Sequence, residues 1–279
     1  MGVIRRLGLL VALLGLTLSV ASQGYHRKKK DAFPPQPTYE KSHWYFGPGV
    51  TYTWSPFSKK TVDGTSVPDT SFHSDLSQQA RIGLAAEFGR YHLINKLYFF
   101  RYWNYGVNYR WIQAKERYTD RMTASGENTT IGTGENSFSD HFINAHVEIS
   151  GINKLSDYAF LQHTLGATAG YAIGSKRTYS DHLPGLTETT NGRFHSYLYY
   201  KLGWGYKVNK KSIIIPSLEI PLLNIANWNN GRMETPYFNS QYWPWTLSVR
   251  ILLARPYRMK NCPPVDAIGV PDGFDPGGE

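Results

Sequence analysis

Three short runs hold the residue types of acid–base and nucleophilic chemistry: His73-Ser74-Asp75, Ser139-Asp140-His141 and Ser180-Asp181-His182. A serine hydroxyl becomes a nucleophile when an imidazole takes its proton and a carboxylate orients that imidazole. The same side chains also ligate divalent metals. Neighbours in sequence do not make such a set, because the groups must meet in space. All three runs are expected in or beside long polar loops at one end of the molecule. The economical reading is polar loop residues that repeat, so no catalytic residue, metal ligand or cofactor site is assigned.

The elements that would position them are strands. In Tyr102 to Trp111 the odd positions Trp103, Tyr105, Val107, Tyr109 and Trp111 are large and apolar or aromatic, and the residues between include Asn104, Gly106, Asn108 and Arg110. Successive side chains on a strand point to opposite faces, so this segment has one greasy and one polar face. A soluble sandwich would fill the apolar face with Val, Ile and Leu. Here aromatic rings stand at both ends of it, as on a strand that crosses a bilayer with its other face in a barrel lumen.

The alternation recurs eight times between Trp44 and Arg255: in Trp44 to Trp54, Ala80 to Phe88, Tyr102 to Trp111 with extensions, His141 to Ile149, Tyr158 to Ile173, Phe194 to Val208, Ile214 to Leu222 and Tyr242 to Leu253. Pro216 and Pro221 make the seventh the weakest for full pairing. The connectors alternate as well. Ser55 to Ser77, Thr119 to Phe138, Ser175 to Gly192 and Ala226 to Ser240 are long and polar, whereas the links near Leu93 to Lys96, Gly151 to Asp157 and Asn209 to Lys211 are short. Long loops outside and short turns in the periplasm are the pattern of transmembrane barrels. An even strand count returns both termini to the periplasm.

Composition and compartment agree. The 279 residues are 15% aromatic, and their mean hydropathy of -0.42 is too polar for a helical membrane protein. Residues 1–22 read as a signal peptide, with Arg5 and Arg6 before the apolar run Leu7 to Val20 and a small-residue cleavage site at Val20-Ala21-Ser22. No later run approaches the roughly 20 apolar residues of a membrane helix. Residues 23–43 form a basic, Pro-rich periplasmic segment with the cluster His26-Arg27-Lys28-Lys29-Lys30, read as a solvated tail. Residues 44–255 form the barrel, and 256–279 a tail rich in Pro, Gly and Asp that holds the only cysteine, Cys262. The formal charge of +9 owes two charges to Arg5 and Arg6 and much of the rest to that cluster, and an exported chain meets no nucleic acid. Asn128-Thr129-Thr130 matches the N-glycosylation pattern, a signal of little weight on a bacterial surface.

Seven charged residues, Arg81, Glu87, Arg110, Glu148, Lys201, Glu219 and Arg250, fall on the lumen face of the expected strands. An eight-stranded interior is just wide enough to be filled by side chains, so ion pairing is the expected arrangement. Trp44, Trp54, Trp103, Trp111, Trp204, Trp243 and Trp245 fall on the other face, where rings favour the headgroup level.

On this pattern the chain resembles the small eight-stranded outer-membrane barrels of Gram-negative bacteria, the OmpA-like and OmpX-like group. The resemblance implies an all-β antiparallel barrel in the outer membrane, contact with outer-membrane lipid, and insertion by a barrel-assembly machinery that reads the last strand. It implies no activity. Such barrels often end on an aromatic residue, whereas this chain continues through Pro256 to Glu279. The expected role is a non-enzymatic structural or interaction protein acting through loops and tails, with other outer-membrane proteins as partners. The rivals are a narrow pore, an accessory subunit of a secretion or assembly complex, and a surface enzyme with a Ser/His/Asp set at the rim.

Overall fold

The computed structural model describes residues 40–55, 60–63, 70–94, 99–124, 127–180, 192–209, 211–226 and 235–255. The expected signal peptide, the cluster His26 to Lys30, Asp181, His182 and the tail with Cys262 lie outside these. The strands are β1 (Ser42–Trp54), β2 (Lys60–Asp63), β3 (Thr70–Ala80), β4 (Ile82–Leu93), β5 (Phe100–Ala124), β6 (Glu127–Lys154), β7 (Ala159–Thr178), β8 (Phe194–Lys207), β9 (Ser212–Ala226), β10 (Thr235–Tyr237) and β11 (Ser240–Leu253). Neighbours pair antiparallel in the ring β1, β4, β5, β6, β7, β8, β9, β11, and β11 returns to pair with β1, so eight strands close a single barrel.

The barrel is inside out relative to a soluble protein. Outward positions carry Ile82, Leu84, Phe88, Val107, Val147, Leu165, Trp204 and Leu247, all at least half exposed, while buried positions carry Asn, Thr, Ser, Glu, Lys and Arg. A continuous apolar belt of this extent is stable only against lipid. Trp44, Trp103 and Trp204 lie on the outer face near the end where Glu40 and Arg255 meet, here the terminus end; Trp54, Trp111, Trp243 and Trp245 lie near the far end. Trp54, Trp243 and Trp245 form one cluster, with ring centres 5.4–5.7 Å apart.

Three expectations are corrected. Thr119 to Phe138 is not a loop: β5 and β6, of 25 and 28 residues, run on as a hairpin paired out to Ala124↔Glu127. At about 3.4 Å per residue and a tilt near 40°, β5 spans roughly 60 Å along the barrel axis against an apolar band of about 25 Å. The extension has polar residues on both faces, which removes the hydrophobic alternation that marks a strand. Likewise Ser55 to Ser77 contains β2 and most of β3, which pair with each other and, through β3, with the extended part of β5.

The outer and inner faces near Arg81 also differ from the expected alternation. Between the pairs Ala80↔Ala114 and Ala85↔Arg110, the β3–β4 side carries one residue more than β5. Such a bulge reverses the alternation. Ala80 therefore lies on the inner face opposite buried Ala114, and Arg81, expected in the lumen, is expelled and exposed. Next to the bulge the Thr51 hydroxyl donates to the Trp111 carbonyl. A Cβ at Gly83 would stand 1.8 Å from that same oxygen, so the close approach admits only glycine.

At the far end the β10–β11 hairpin leans across the mouth. Tyr237, Phe238 and Tyr242 pack on Phe138, Phe142 and Ile112 of the opposite wall, and the Tyr237 hydroxyl donates to Asp140 Oδ2 at 2.6 Å. Phe238, at the turn, has φ 54°, the left-handed region usually given to Gly or Asn in tight hairpins. Beneath the hairpin remains a cavity of about 30 Å³ lined mainly by apolar side chains, Ile112, Phe142, Tyr197, Pro221, Tyr242 and Pro244 among them. That is room for about two waters.

Candidate functional site

The centre of the barrel holds six ionised side chains from six strands: Glu87 (β4), Arg110 (β5), Glu148 (β6), Lys201 (β8), Glu219 (β9) and Arg250 (β11). Arg250 grips two carboxylates. Its Nε and Nη2 donate to Glu87 at 2.9 and 2.7 Å, and its Nη1 and Nη2 to Glu148 at 2.6 and 3.1 Å. Lys201 Nζ reaches all three acids, at 3.1 Å from Glu87, 2.9 Å from Glu148 and 3.4 Å from Glu219. Arg110 pairs with Glu219 at 2.5 Å and bonds the Tyr197 hydroxyl. Three cations thus meet three carboxylates, and the cluster is neutral. In a medium of low dielectric that balance is what makes burying six charges tolerable.

Tyrosines and amides complete the coordination. Tyr199 donates to Glu148 Oε1 at 2.7 Å. A directed chain of donors feeds the same carboxylate. Asn144 Nδ2 donates to Asn108 Oδ1 (2.6 Å), and Asn108 Nδ2 to His146 Nδ1 (3.2 Å). With Nδ1 accepting, His146 carries its proton on Nε2 and gives it to Tyr45 Oη at 2.6 Å. The Tyr45 hydroxyl then donates to Asn104 Oδ1 (3.2 Å), and Asn104 Nδ2 to Glu148 Oε2 (2.9 Å). Glycines make room for this filling: a Cβ at Gly47 would lie 2.7 Å from Glu87 Oε1, and one at Gly166 would lie 2.4 Å from Tyr199 Cζ.

Glu87, His146 and Glu148 place ligand atoms within 4.8 Å of one another, as a metal site would. Their carboxylates, however, already hold Arg250 and Lys201. A divalent ion would add two uncompensated charges to a neutral interior, so the set does not fit one.

The described members of the three Ser/Asp/His runs do not converge. His73-Ser74-Asp75, expected in a loop, lies in β3, and Ser139-Asp140-His141, expected where a loop meets the fourth strand, lies wholly within β6. Alternation sends Ser74 and Asp140 inward, each 1% exposed, and their neighbours outward. His73 instead meets two residues absent from the run: its Nδ1 is 2.7 Å from Asp63 Oδ1 and its Nε2 3.1 Å from Ser71 Oγ. His141 serves the outer aromatic band, stacked on Trp111 with its Nδ1 2.7 Å from Tyr109 Oη. Ser180 bonds the backbone of Glu135.

Sequence reasoning about charge passed over Tyr45, Asn104, Asn108, His146, Tyr197 and Tyr199. They share the inward parity of Arg110, Glu148 and Lys201, and that parity was the available signal.

No protein-family profile and no curated protein matches the sequence. Among solved structures, the chain is similar to the outer membrane protein OprG from Pseudomonas aeruginosa, with TM-score 0.36 and 8% identity over 80% of this chain and 99% of that one. It is also similar to Ail, the attachment invasion locus protein of Yersinia pestis, with TM-score 0.27 and 10% identity over 77% and 99%. The outer membrane protease OmpT from Escherichia coli matches with TM-score 0.33 and 8% identity over 81% and 99%. At these scores the likenesses lend nothing to the reading of activity. That reading rests on the closed ring, the apolar belt and the charged interior.

Proposed function

We propose that the chain is an outer-membrane barrel of a Gram-negative bacterium whose interior does not conduct, with a structural or interaction role exercised through the projecting β5–β6 hairpin. The observation that carries this reading is the six-charge cluster bonded across the lumen, which leaves no column of water through the middle. The apolar belt and the resemblance to OmpA-like and OmpX-like barrels support the location. Even strand number puts both chain ends on one side, taken as the periplasm, and the hairpin on the other. Planar-bilayer recording tests the proposal: the parent protein should give no steady conductance. A stable, salt-dependent current would restore the pore reading.

One observation favours a second reading, a surface hydrolase. His73 has a carboxylate on one ring nitrogen and a serine on the other, the order in which a general base is oriented and used. Labelling of the intact protein by a fluorophosphonate, lost in Ser71→Ala, would support it; the absence of labelling would remove it.

A further inference from the structure

At the terminus end, the outer face of β4 carries Phe88, Arg90 and His92 at alternate positions. Trp44 of β1 and Tyr105 of β5 stand opposite Arg90, while Ser42 and Trp103 stand opposite His92. Arg90 is fixed in place: its Nε and Nη2 donate to Ser42 Oγ at 3.1 and 2.8 Å. Its guanidinium carbon lies 5.6 Å from the centre of the Trp44 ring, which stacks on Phe88 at 5.2 Å. On the other side His92 stacks on Trp103 at 4.6 Å and on Tyr105 at 5.7 Å.

Two features of this pad bear on what could bind there. Among the described residues Arg90 has no carboxylate partner; Glu40, the acid at this end of β1, is engaged with His43 and Arg255. His92 Nε2 is buried without a hydrogen-bond partner. A fixed cation with an unused donor nitrogen, beside an imidazole nitrogen that lacks a partner, calls for an acceptor with several oxygens and negative charge. The flanking rings add an apolar wall at the level where a bilayer changes from hydrocarbon to headgroup.

We propose that Arg90 and His92 seat the phosphate of a membrane phospholipid, with Trp44, Trp103 and Tyr105 packed against its glycerol and upper acyl chain. The inference rests on the membrane-spanning reading above, which makes a lipid headgroup the occupant of this level of the surface. Arg90 supplies Nη1 to one phosphate oxygen, and the neutral His92 ring, turned outward from its stack, supplies a second hydrogen bond from Nε2–H. With no carboxylate on the pad, a net anionic headgroup is preferred over a zwitterionic one.

The full chain reconstituted in phosphatidylcholine bilayers containing phosphatidylglycerol provides the test, with retained lipids counted by native mass spectrometry. Arg90→Gln should lower phosphatidylglycerol retention by about tenfold, the worth of one charge-assisted hydrogen bond to an anion. The double variant with His92→Phe should lower it further. Arg101→Gln, which removes an exposed cation at the same end, should leave retention unchanged. Equal retention in the parent and the Arg90 variants, or equal loss in Arg101→Gln, would overturn the proposal. Displacement of the lipid signal by inorganic phosphate would mean a site for the free ion and would equally overturn it. Heat-modifiable mobility reports folding of every variant. A parent that never inserts would defeat the membrane reading, whereas one that inserts and retains no anionic lipid defeats only this inference.

Discussion

The guanidinium carbon of Arg250 lies 4.5 Å from the ring centre of Tyr45, a contact between the last strand and the first. The barrel closes where β11 meets β1, and this contact ties the inside of that seam to the central charges. Arg250 also bonds Glu87 on β4 and Glu148 on β6, so one side chain fixes the register of strands far apart in sequence.

Loss of Arg250 should therefore be costly. Arg250→Ala leaves Glu87 and Glu148 short of their main partner in a buried site, and removing one member of a buried pair typically costs about 3–5 kcal/mol. Arg110→Ala, which strips Glu219, should behave likewise. Urea unfolding in bilayers measures both. A loss near the value of an exposed pair, about 1 kcal/mol or less, would mean that water reaches these charges.

Tyr45→Phe removes a single oxygen that accepts from His146 and donates to Asn104. Both partners stay buried, so the cost should be about 1–3 kcal/mol, the penalty for stranding buried polar groups. The same unfolding measurement checks it, and a neutral result would break the donor chain at that point.

Val107 faces outward in the middle of the belt, 52% exposed. Val107→Arg should destabilise the inserted barrel by about 2–4 kcal/mol, as expected for a cation on the lipid face near the midplane. Equal stability in detergent-free bilayers would show that this face does not meet lipid.

Orientation is checked with single cysteines in a Cys262→Ser background. Thr129→Cys, in the hairpin, should react with an impermeant maleimide on intact cells, and Ser156→Cys, in a short turn at the terminus end, only after permeabilisation. The reverse pattern would turn the barrel over.

The projection should weaken in acid through Glu135, which lies beyond the belt. The hydrogen bond from Lys115 holds its carboxyl below the usual carboxylate range, with Arg117 adding to the effect. A group depressed by folding stabilises the native state above its unfolded value and loses that contribution as pH falls through the folded one. Protease resistance of the hairpin should hold from pH 7 to about 5 and fall below about 4. In Glu135→Gln the acid step should shrink; an unchanged step would assign it to other carboxylates.

The barrel was legible because period-two alternation needs only residue types: Trp103, Tyr105 and Val107 read outward, and Asn104, Asn108 and Arg110 inward. The β5–β6 projection was not, since Thr119 to Phe138 has no apolar face to betray a strand, and polar Thr and Asn read equally as a loop. Arg81 was misplaced because a one-residue bulge leaves no mark in the alternation beyond a glycine at 83. The meeting of His73 with Asp63 depends on β2 folding back on β3, and the donor chain through His146 and Tyr45 depends on packing across the lumen. Neither is written in local spacing.

Taken in chain order, the central charges read Glu87, Arg110, Glu148, Lys201, Glu219, Arg250, so their signs alternate without exception. A barrel assembled strand by strand from its N-terminus passes through a running total that swings only between minus one and zero. No intermediate has to carry more than one uncompensated charge into the hydrocarbon. In that order the final neutralisation waits for β11, and closure of the seam and discharge of the interior coincide; in the reverse order the total is again never more than one unit from zero.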